Sequence, residues 1–363
     1  MDARSPLRVA VIGVGAFGRN HLRVYRDVAT NRANDLAAET AALPAAHPAP
    51  QLVELAAVVD PDPVALAAMA AQYGIPGFAS VDALLHAGIG LHACSVCVPT
   101  RAHAVAAAPL LAAGLDLLIE KPLAASLTDA DAILDLARAH QRIVQVGHLE
   151  RFNPAVTEAR EHLNRPMFFE AHRLSVFTPR SLDVDVVLDL MIHDLDIVLS
   201  LVDSPVREVR AVGLPVLSNK VDIANVRVEF ENGCVANFTA SRVSTERVRK
   251  LRFFQPHQYL SLDFARQDLL MIDVTAAAGM SPEQLAAAAS LAQAAGGHPS
   301  AGLSLHKVPV VAGEPLRLEI ESFLHAVQTR SEPVVSGEDG RAALELALEI
   351  NQAIAHHASR TGL

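Results

Sequence analysis

The sequence predicts an α/β protein, and three observations carry the prediction. An apolar run, Leu7–Ile12, meets glycines at Gly13, Gly15 and Gly18, and a helical pattern starts straight afterwards. Short apolar stretches then alternate with helical ones as far as about residue 147. Beyond that point most segments alternate apolar and polar residues with period two. The first two observations describe an N-terminal, doubly wound parallel sheet of the Rossmann type. The third describes a C-terminal α+β domain with a mostly antiparallel open sheet. The expected domains are 1–147 and 148–363. Insertions are expected at about 29–50 and 276–302, with the C-terminal helices packing back on the first domain.

The glycine spacing is G-x-G-x-x-G, and each position has a physical reason. Gly13 allows a tight turn out of the strand. Gly15 lacks a Cβ, so backbone can approach a pyrophosphate. Gly18 lets the helix pack close to the strand. The N–H groups around Ala16 and Phe17 then face that phosphate, at the positive end of the helix dipole. A bare G-x-G-x-x-G is a weak signal, and the strand before it and helix after it are the context it requires. A dinucleotide-binding turn is therefore expected.

The first helix is expected over 16–28. Residues 29–50 are rich in Ala, Asn and Pro without a clear period, and are expected to form a surface segment, part helical over 35–42. The second strand, 52–60, ends in Asp60. The dinucleotide fingerprint places an acidic residue ~20 positions beyond the glycines, whereas Asp60 lies 42 beyond Gly18. The insertion accounts for the excess. A carboxylate there accepts hydrogen bonds from the adenosine ribose and repels a 2′-phosphate, which favours NAD over NADP. The plainer alternative is a turn-initiating aspartate before Pro61.

Helices follow at Pro63–Tyr73 and within 79–87, then a strand over 93–98 and a helix opened by Pro99-Thr100-Arg101-Ala102-His103. A buried strand, 115–119, ends at Glu120-Lys121-Pro122. A helix over 129–140 and a strand over 142–146 complete the first domain. The second is expected to have an extended segment over 167–176 and an apolar helix over 184–201. Strand-like segments follow at 206–216, 223–231, 235–242, 252–254, 259–264 and 269–274. Asn232-Gly233 is a hairpin turn signal, and closing helices are expected at 316–328 and 341–358.

Composition bounds the function. Of the 363 residues, 51% are hydrophobic but only 4% aromatic, with no Trp, which argues against base-stacking platforms. A net charge of -10 and the lack of a basic stripe argue against nucleic acid. No apolar run reaches the ~18 residues of a membrane helix, and nothing resembles a signal peptide. A soluble cytoplasmic protein is expected. The three cysteines do not suggest a disulfide framework. Cys94 and Cys97 form a C-x-x-C inside an apparent strand and read as buried thiols, with no second pair to complete a zinc site.

With these motifs in view, the chain resembles the Gfo/Idh/MocA family of NAD(P)-dependent sugar oxidoreductases nearly end to end. The resemblance rests on G-V-G-A-F-G-R-N-H at 13–21, V-C-V-P-T-R-A-H at 96–103, E-K-P at 120–122, V-G-H-L-E-R-F-N-P at 146–154 and L-D-L-M-I-H-D-L-D at 188–196. The closing segments E-S-F-L-H-A-V and G-R-A-A-L-E-L-A also look like the family's. The wording of the fourth and fifth motifs resembles the branch that oxidises nucleotide-activated amino sugars at the C3 hydroxyl. Inositol oxidation is the competing assignment. A regulatory NAD(P) binder without turnover is the alternative of another class.

The resemblance implies roles residue by residue. Lys121, at the carboxyl end of a parallel strand, lies near the nicotinamide, where a cationic ring and partial desolvation push its pKa down. It then shares or takes the substrate hydroxyl proton. Glu120 orients it or contacts the cofactor, and Pro122 is a candidate cis peptide. Val98, Pro99, Thr100 and His103 line the cofactor, with Thr100 and His103 flanking the nicotinamide ribose. The alternative is helix capping by Thr100 and an exposed His103. Asp189, His193 and Asp196, spaced by four and three, share one face of an otherwise apolar helix. His193 becomes the base or proton relay. Asp189 orients it or holds substrate hydroxyls, and Asp196 supports. A core histidine capped by aspartate is the alternative.

His148, Arg151, Phe152 and Asn153 are expected at the domain junction, lining the substrate pocket, with Arg151 gripping a phosphate or carboxylate bidentately. A loop capping the next helix is the alternative. His193 with Asp194 and Asp196 resembles a zinc set, yet alcohol oxidation by NAD needs only a base and a positioned ring, so no metal is expected. The expected partners are a sugar or nucleotide-sugar substrate and further copies of the chain, as homodimer or homotetramer. Lys121 and His193 are expected to converge across the interdomain crevice.

Overall fold

The computed structural model describes residues 5–41, 52–177, 184–274, 280–294 and 304–362. The chain forms two compact units. The first runs to Leu149 and takes in Glu314–Leu344, and the second is Glu150–Gly313 with Glu345–Leu363.

The first unit alternates strands and helices: β1 (Leu7–Ile12), α1 (Ala16–Ala41), β2 (Val53–Val59), α2 (Pro63–Tyr73), β3 (Gly77–Phe78), α3 (Val81–His86), β4 (Ala93–Val96), α4 (His103–Ala112), β5 (Asp116–Glu120), α5 (Leu127–Ala139) and β6 (Val144–Gly147). The sheet order is β3-β2-β1-β4-β5-β6 with every pair parallel. The strands are buried on both faces, which their near-continuous Val, Ile, Leu and Ala sequences permit. Strand order reverses between β1 and β4, and open sheets of this kind bind ligands at such a switch point, outside the carboxyl ends of the strands.

Helix α1 continues past residue 28 to Ala41. No glycine or proline falls between Gly18 and Pro44, so nothing in the sequence stops the helix where the periodicity fades. Residues 42–50 of the expected insertion lie outside the described residues.

The unit's core is completed from far along the chain. Leu316, Ile320, Phe323, Leu324 and Val327 occupy one stripe of α9 (Pro315–Thr329). They pack in one cluster with Leu7, Leu22, Tyr25 and Leu118.

The second unit holds an eight-stranded sheet. Its elements are α6 (Pro154–Glu161), β7 (Phe168–Val176), α7 (Ile192–Leu201), β8 (Val206–Leu214), β9 (Ile223–Phe230), β10 (Val235–Ser244), β11 (Val248–Gln255), β12 (Gln258–Asp263), β13 (Asp268–Asp273), α8 (Pro282–Ala294) and β14 (Ser304–Val308). The order is β14-β13-β12-β11-β7-β10-β9-β8. All pairs are antiparallel except β7 with β10. Burial alternates along β7, β9 and β10, so one face is core and the other is not. Gly233, at φ +82°, turns β9 into β10. The last helix, α10 (Gly337–Thr361), begins in the first unit and ends in the second.

Three details differ from the sequence reading. The short β3 and the edge strand β14 had too few residues, or too weak an alternation, to stand out. Helix α8 lies inside the expected 276–302 insertion; residues 276–279 and 295–302 of that insertion lie outside the described residues. The apolar stretch over 184–201 is not one regular helix, because Val187–Met191 forms a π turn before α7.

Candidate active site

Local geometry explains each glycine of the first turn. Gly13 has φ +93°, and a Cβ there would lie 2.8 Å from the Cys97 carbonyl oxygen. A Cβ on Gly18 would lie 1.8 Å from the carbonyl oxygen of Gly13. Neither position tolerates a side chain. Gly15 is the opposite case: nothing stands within 4 Å of an added Cβ, and Gly15, Ala16 and Phe17 are exposed. That open face above the first turn of α1 is the space a diphosphate takes, so these residues fit a dinucleotide.

Asp60, directly after β2, reaches back to this turn. Its Oδ2 accepts from the Val14 N–H at 2.7 Å and its Oδ1 from the Asp62 N–H at 2.8 Å. It is half-buried. It thus initiates the turn before α2 and pins the glycine loop as well. Each carboxylate oxygen has a second lone pair for a ribose hydroxyl.

Residues 97–103 form the neighbouring wall of the first unit. Val98 and Thr100 are half-buried and Pro99 is exposed, while Thr100–Ala102 makes a 3-10 turn without a side-chain cap. His103 corrects both sequence readings, because it is neither exposed nor turned to an open surface. It is 1% exposed, with Nδ1 3.0 Å from the Pro122 carbonyl and Nε2 3.0 Å from the Val98 carbonyl. Burial pushes this imidazole below its ordinary pKa against the pull of those carbonyls. Its role in the structure is to staple the 97–103 loop to the loop after β5.

Glu120 ends β5 and is buried, with Oε1 2.9 Å from His21 Nε2. Lys121 follows, half-buried, and the Lys121–Pro122 peptide is cis. His21, Cys97 and Glu120 bring one potential metal-ligand atom each within 4.8 Å of one another. The direct His21–Glu120 hydrogen bond fits a paired imidazole and carboxylate. Burial pushes the Cys94 thiol up to about 12 and Cys97 well above its ordinary value, so these are inert core thiols. His148 is fully buried in the first unit, not on the wall of an open pocket.

In the second unit, α7 carries His193 on a half-buried position, and Asp189 is half-buried in the π turn. The flanking acids are buried and committed elsewhere. Asp196 receives Arg151 Nε at 2.8 Å and NH2 at 3.2 Å. Asp194 receives Arg173 Nε at 2.9 Å and NH2 at 2.8 Å, and Arg173 also reaches Glu150 at 3.0 Å. Burial pushes the Asp194 carboxyl up against the pull of Arg173. Asp194 and Asp196 are thus tied to arginines, which leaves Asp189 and His193 as the half-buried acid–base groups of this stretch.

The same contacts correct two substrate-binding expectations. The bidentate grip of Arg151 is taken by Asp196. Asn153 caps α6 through its Oδ1 to Ala155 N–H at 3.1 Å and donates to the Phe264 carbonyl at 3.0 Å. Phe152 is buried beside them. Glu150 and Arg173 are the residues that sequence reasoning missed. Only a basic residue at a core-facing position of β7 signalled them.

Comparison with known proteins adds an independent line. Residues 7–148 match the model of an oxidoreductase family with an NAD-binding Rossmann fold, and 155–255 match the Gfo/Idh/MocA C-terminal domain. A UDP-N-acetylglucosamine 3-dehydrogenase from Acidithiobacillus ferrooxidans is 34% identical over 96% of this chain and 97% of its own. The chain belongs to the Gfo/Idh/MocA family. A solved structure of the Acidithiobacillus ferrooxidans enzyme has a TM-score of 0.79 at 32% identity, covering 96% of this chain and 98% of that one. An inositol 2-dehydrogenase from Leifsonia xyli is 28% identical over 58% of the chain and 57% of its own length. The chain is thus a member of an oxidoreductase family, and its residues 7–148 form that family's NAD-binding Rossmann domain.

Proposed function

We propose that this protein oxidises the C3 hydroxyl of UDP-N-acetylglucosamine to a 3-keto sugar. The observation that carries the reading is the likeness, over 96% of the chain and at 34% identity, to an enzyme of that name; Lys121, Asp189 and His193 are the acid–base residues the chain offers for the reaction. NAD, when bound over Gly15, supplies the two-electron acceptor. The chain's own groups do the rest. His193, assisted by Lys121, removes the hydroxyl proton as the carbinol carbon gives up its hydrogen with the electron pair. Asp189 orients His193 or holds neighbouring sugar hydroxyls. Glu120 holds the strand end from which Lys121 projects. Arg151, Asn153, Asp194 and Asp196 act by fixing the backbone that carries His193. The reading includes a cytoplasmic location and a homodimer or homotetramer.

The test is a panel of UDP-sugars, inositols and free hexoses incubated with NAD, followed by absorbance of the reduced nicotinamide. UDP-N-acetylglucosamine is expected to give the highest kcat/KM. Preference for an inositol would overturn the substrate. NAD binding with no reduction by any compound would support a regulatory binder.

A further inference from the structure

We propose that His21 is a positioning residue for Lys121, acting through Glu120. This rests on the reading of Lys121 as an acid–base group. His21 closes the motif G-V-G-A-F-G-R-N-H, yet the dinucleotide reading uses only the glycines. It lies on α1, fully buried, 99 residues from Glu120 in sequence but 2.9 Å away in space. The Glu120 carboxylate is confined from a second side. A Cβ on Gly147 of β6 would stand 3.1 Å from both Glu120 Cα and Glu120 Oε2. Glu120 thus lies between the His21 ring and a strand position where an added methyl group would press on it.

The next anchor is on the far side of Lys121, where His103 Nδ1 meets the Pro122 carbonyl at 3.0 Å. Lys121 is the single residue between two neighbours that buried imidazoles hold. A buried imidazole–carboxylate pair is a poor source of stability, because desolvation offsets most of its attraction, and an apolar pair of similar size serves as well. What such a pair supplies is a defined direction. Here it sets where β5 ends and hence where the Lys121 amine begins.

The experiment is a double-mutant cycle with NAD and UDP-N-acetylglucosamine, with NAD dissociation constants from fluorescence titration and thermal midpoints for every variant. His21→Leu is expected to lower kcat on the order of 10- to 100-fold while the NAD dissociation constant stays within about threefold. His21→Gln, which keeps an N–H donor at similar reach, is expected to recover most of the loss. Gly147→Ala, which presses Glu120 from the other side, is expected to show the same kcat-selective defect even if His21→Leu folds poorly. In a Lys121→Ala background, His21→Leu is expected to cost less than about twofold further. Equal loss in both backgrounds, or a parallel collapse of NAD affinity, overturns the proposal and makes His21 part of the cradle. If Lys121→Ala itself turns over like the wild type, the reading of Lys121 fails, and the proposal with it.

Discussion

Asp60 uses both carboxylate oxygens on backbone N–H groups of Val14 and Asp62, and this makes its role divisible. Asp60→Ala is expected to weaken NAD about tenfold or more, since both the loop anchor and the ribose acceptor go. NADP is expected to lose less, because the negative charge facing its 2′-phosphate is also removed. Equal weakening in titrations of the two would reduce Asp60 to a loop anchor. Arg151 is the contrasting residue. Arg151→Ala leaves Asp196 buried without its guanidinium, which costs roughly 3–5 kcal/mol. Denaturant unfolding should show that loss while KM for the sugar changes little. A raised KM at unchanged stability would return Arg151 to the substrate. The placement of the glycines, Asp60 and the E-K-P triplet was legible in the sequence because each ends or follows an apolar strand run. The partners of Arg151, Asn153 and His103 were not. They lie 45, 111 and 19 residues away, and no local pattern marks such pairings.

Elements were legible where burial imposed a period. The parallel strands stood out as apolar runs, and β9 and β10 as alternations broken by Asn232-Gly233. The π turn over Val187–Met191 was not legible, since one extra residue in an apolar helix leaves the hydrophobicity unchanged. The loop between β8 and β9 shows how one side chain sets an element boundary. Burial alone would raise the Asp222 carboxyl. The N–H groups of Leu217, Ser218 and Val216 with the Ser218 hydroxyl outweigh it and hold the group at about 2, below the ordinary 3.8. A depressed folded value means stabilisation that is complete above about pH 4 and lost as pH falls towards about 2. Wild type is therefore expected to lose more thermal stability than Asp222→Asn across that window. Parallel losses in melts at stepped pH would remove Asp222 from the account.

At the scale of the whole molecule, the half-exposed face of the eight-stranded sheet matters most. It carries cross-strand ion pairs, Arg252 with Glu170 at 2.8 Å and Arg207 with Glu229 at 3.3 Å. Beside them is an aromatic group in which Phe254 meets Phe168 and Tyr259 at centroid distances of 5.6 and 4.8 Å. Phe254 is 39% exposed. Such a face suits association with a second copy. Sedimentation is expected to give two or four times the 38.6 kDa chain mass, and Phe254→Asp is expected to lower it. A wild-type monomer would contradict the homo-oligomer.

The central claim is that this chain binds NAD through one set of residues and moves the substrate proton with another. The most direct measurement compares Lys121→Ala and His193→Ala with the wild type for UDP-N-acetylglucosamine turnover and for NAD affinity in the same preparations. In each variant kcat is expected to fall by roughly 100-fold or more, with NAD dissociation constants close to wild type. Near wild-type turnover in either variant, or loss of NAD binding in step with turnover, would contradict that claim.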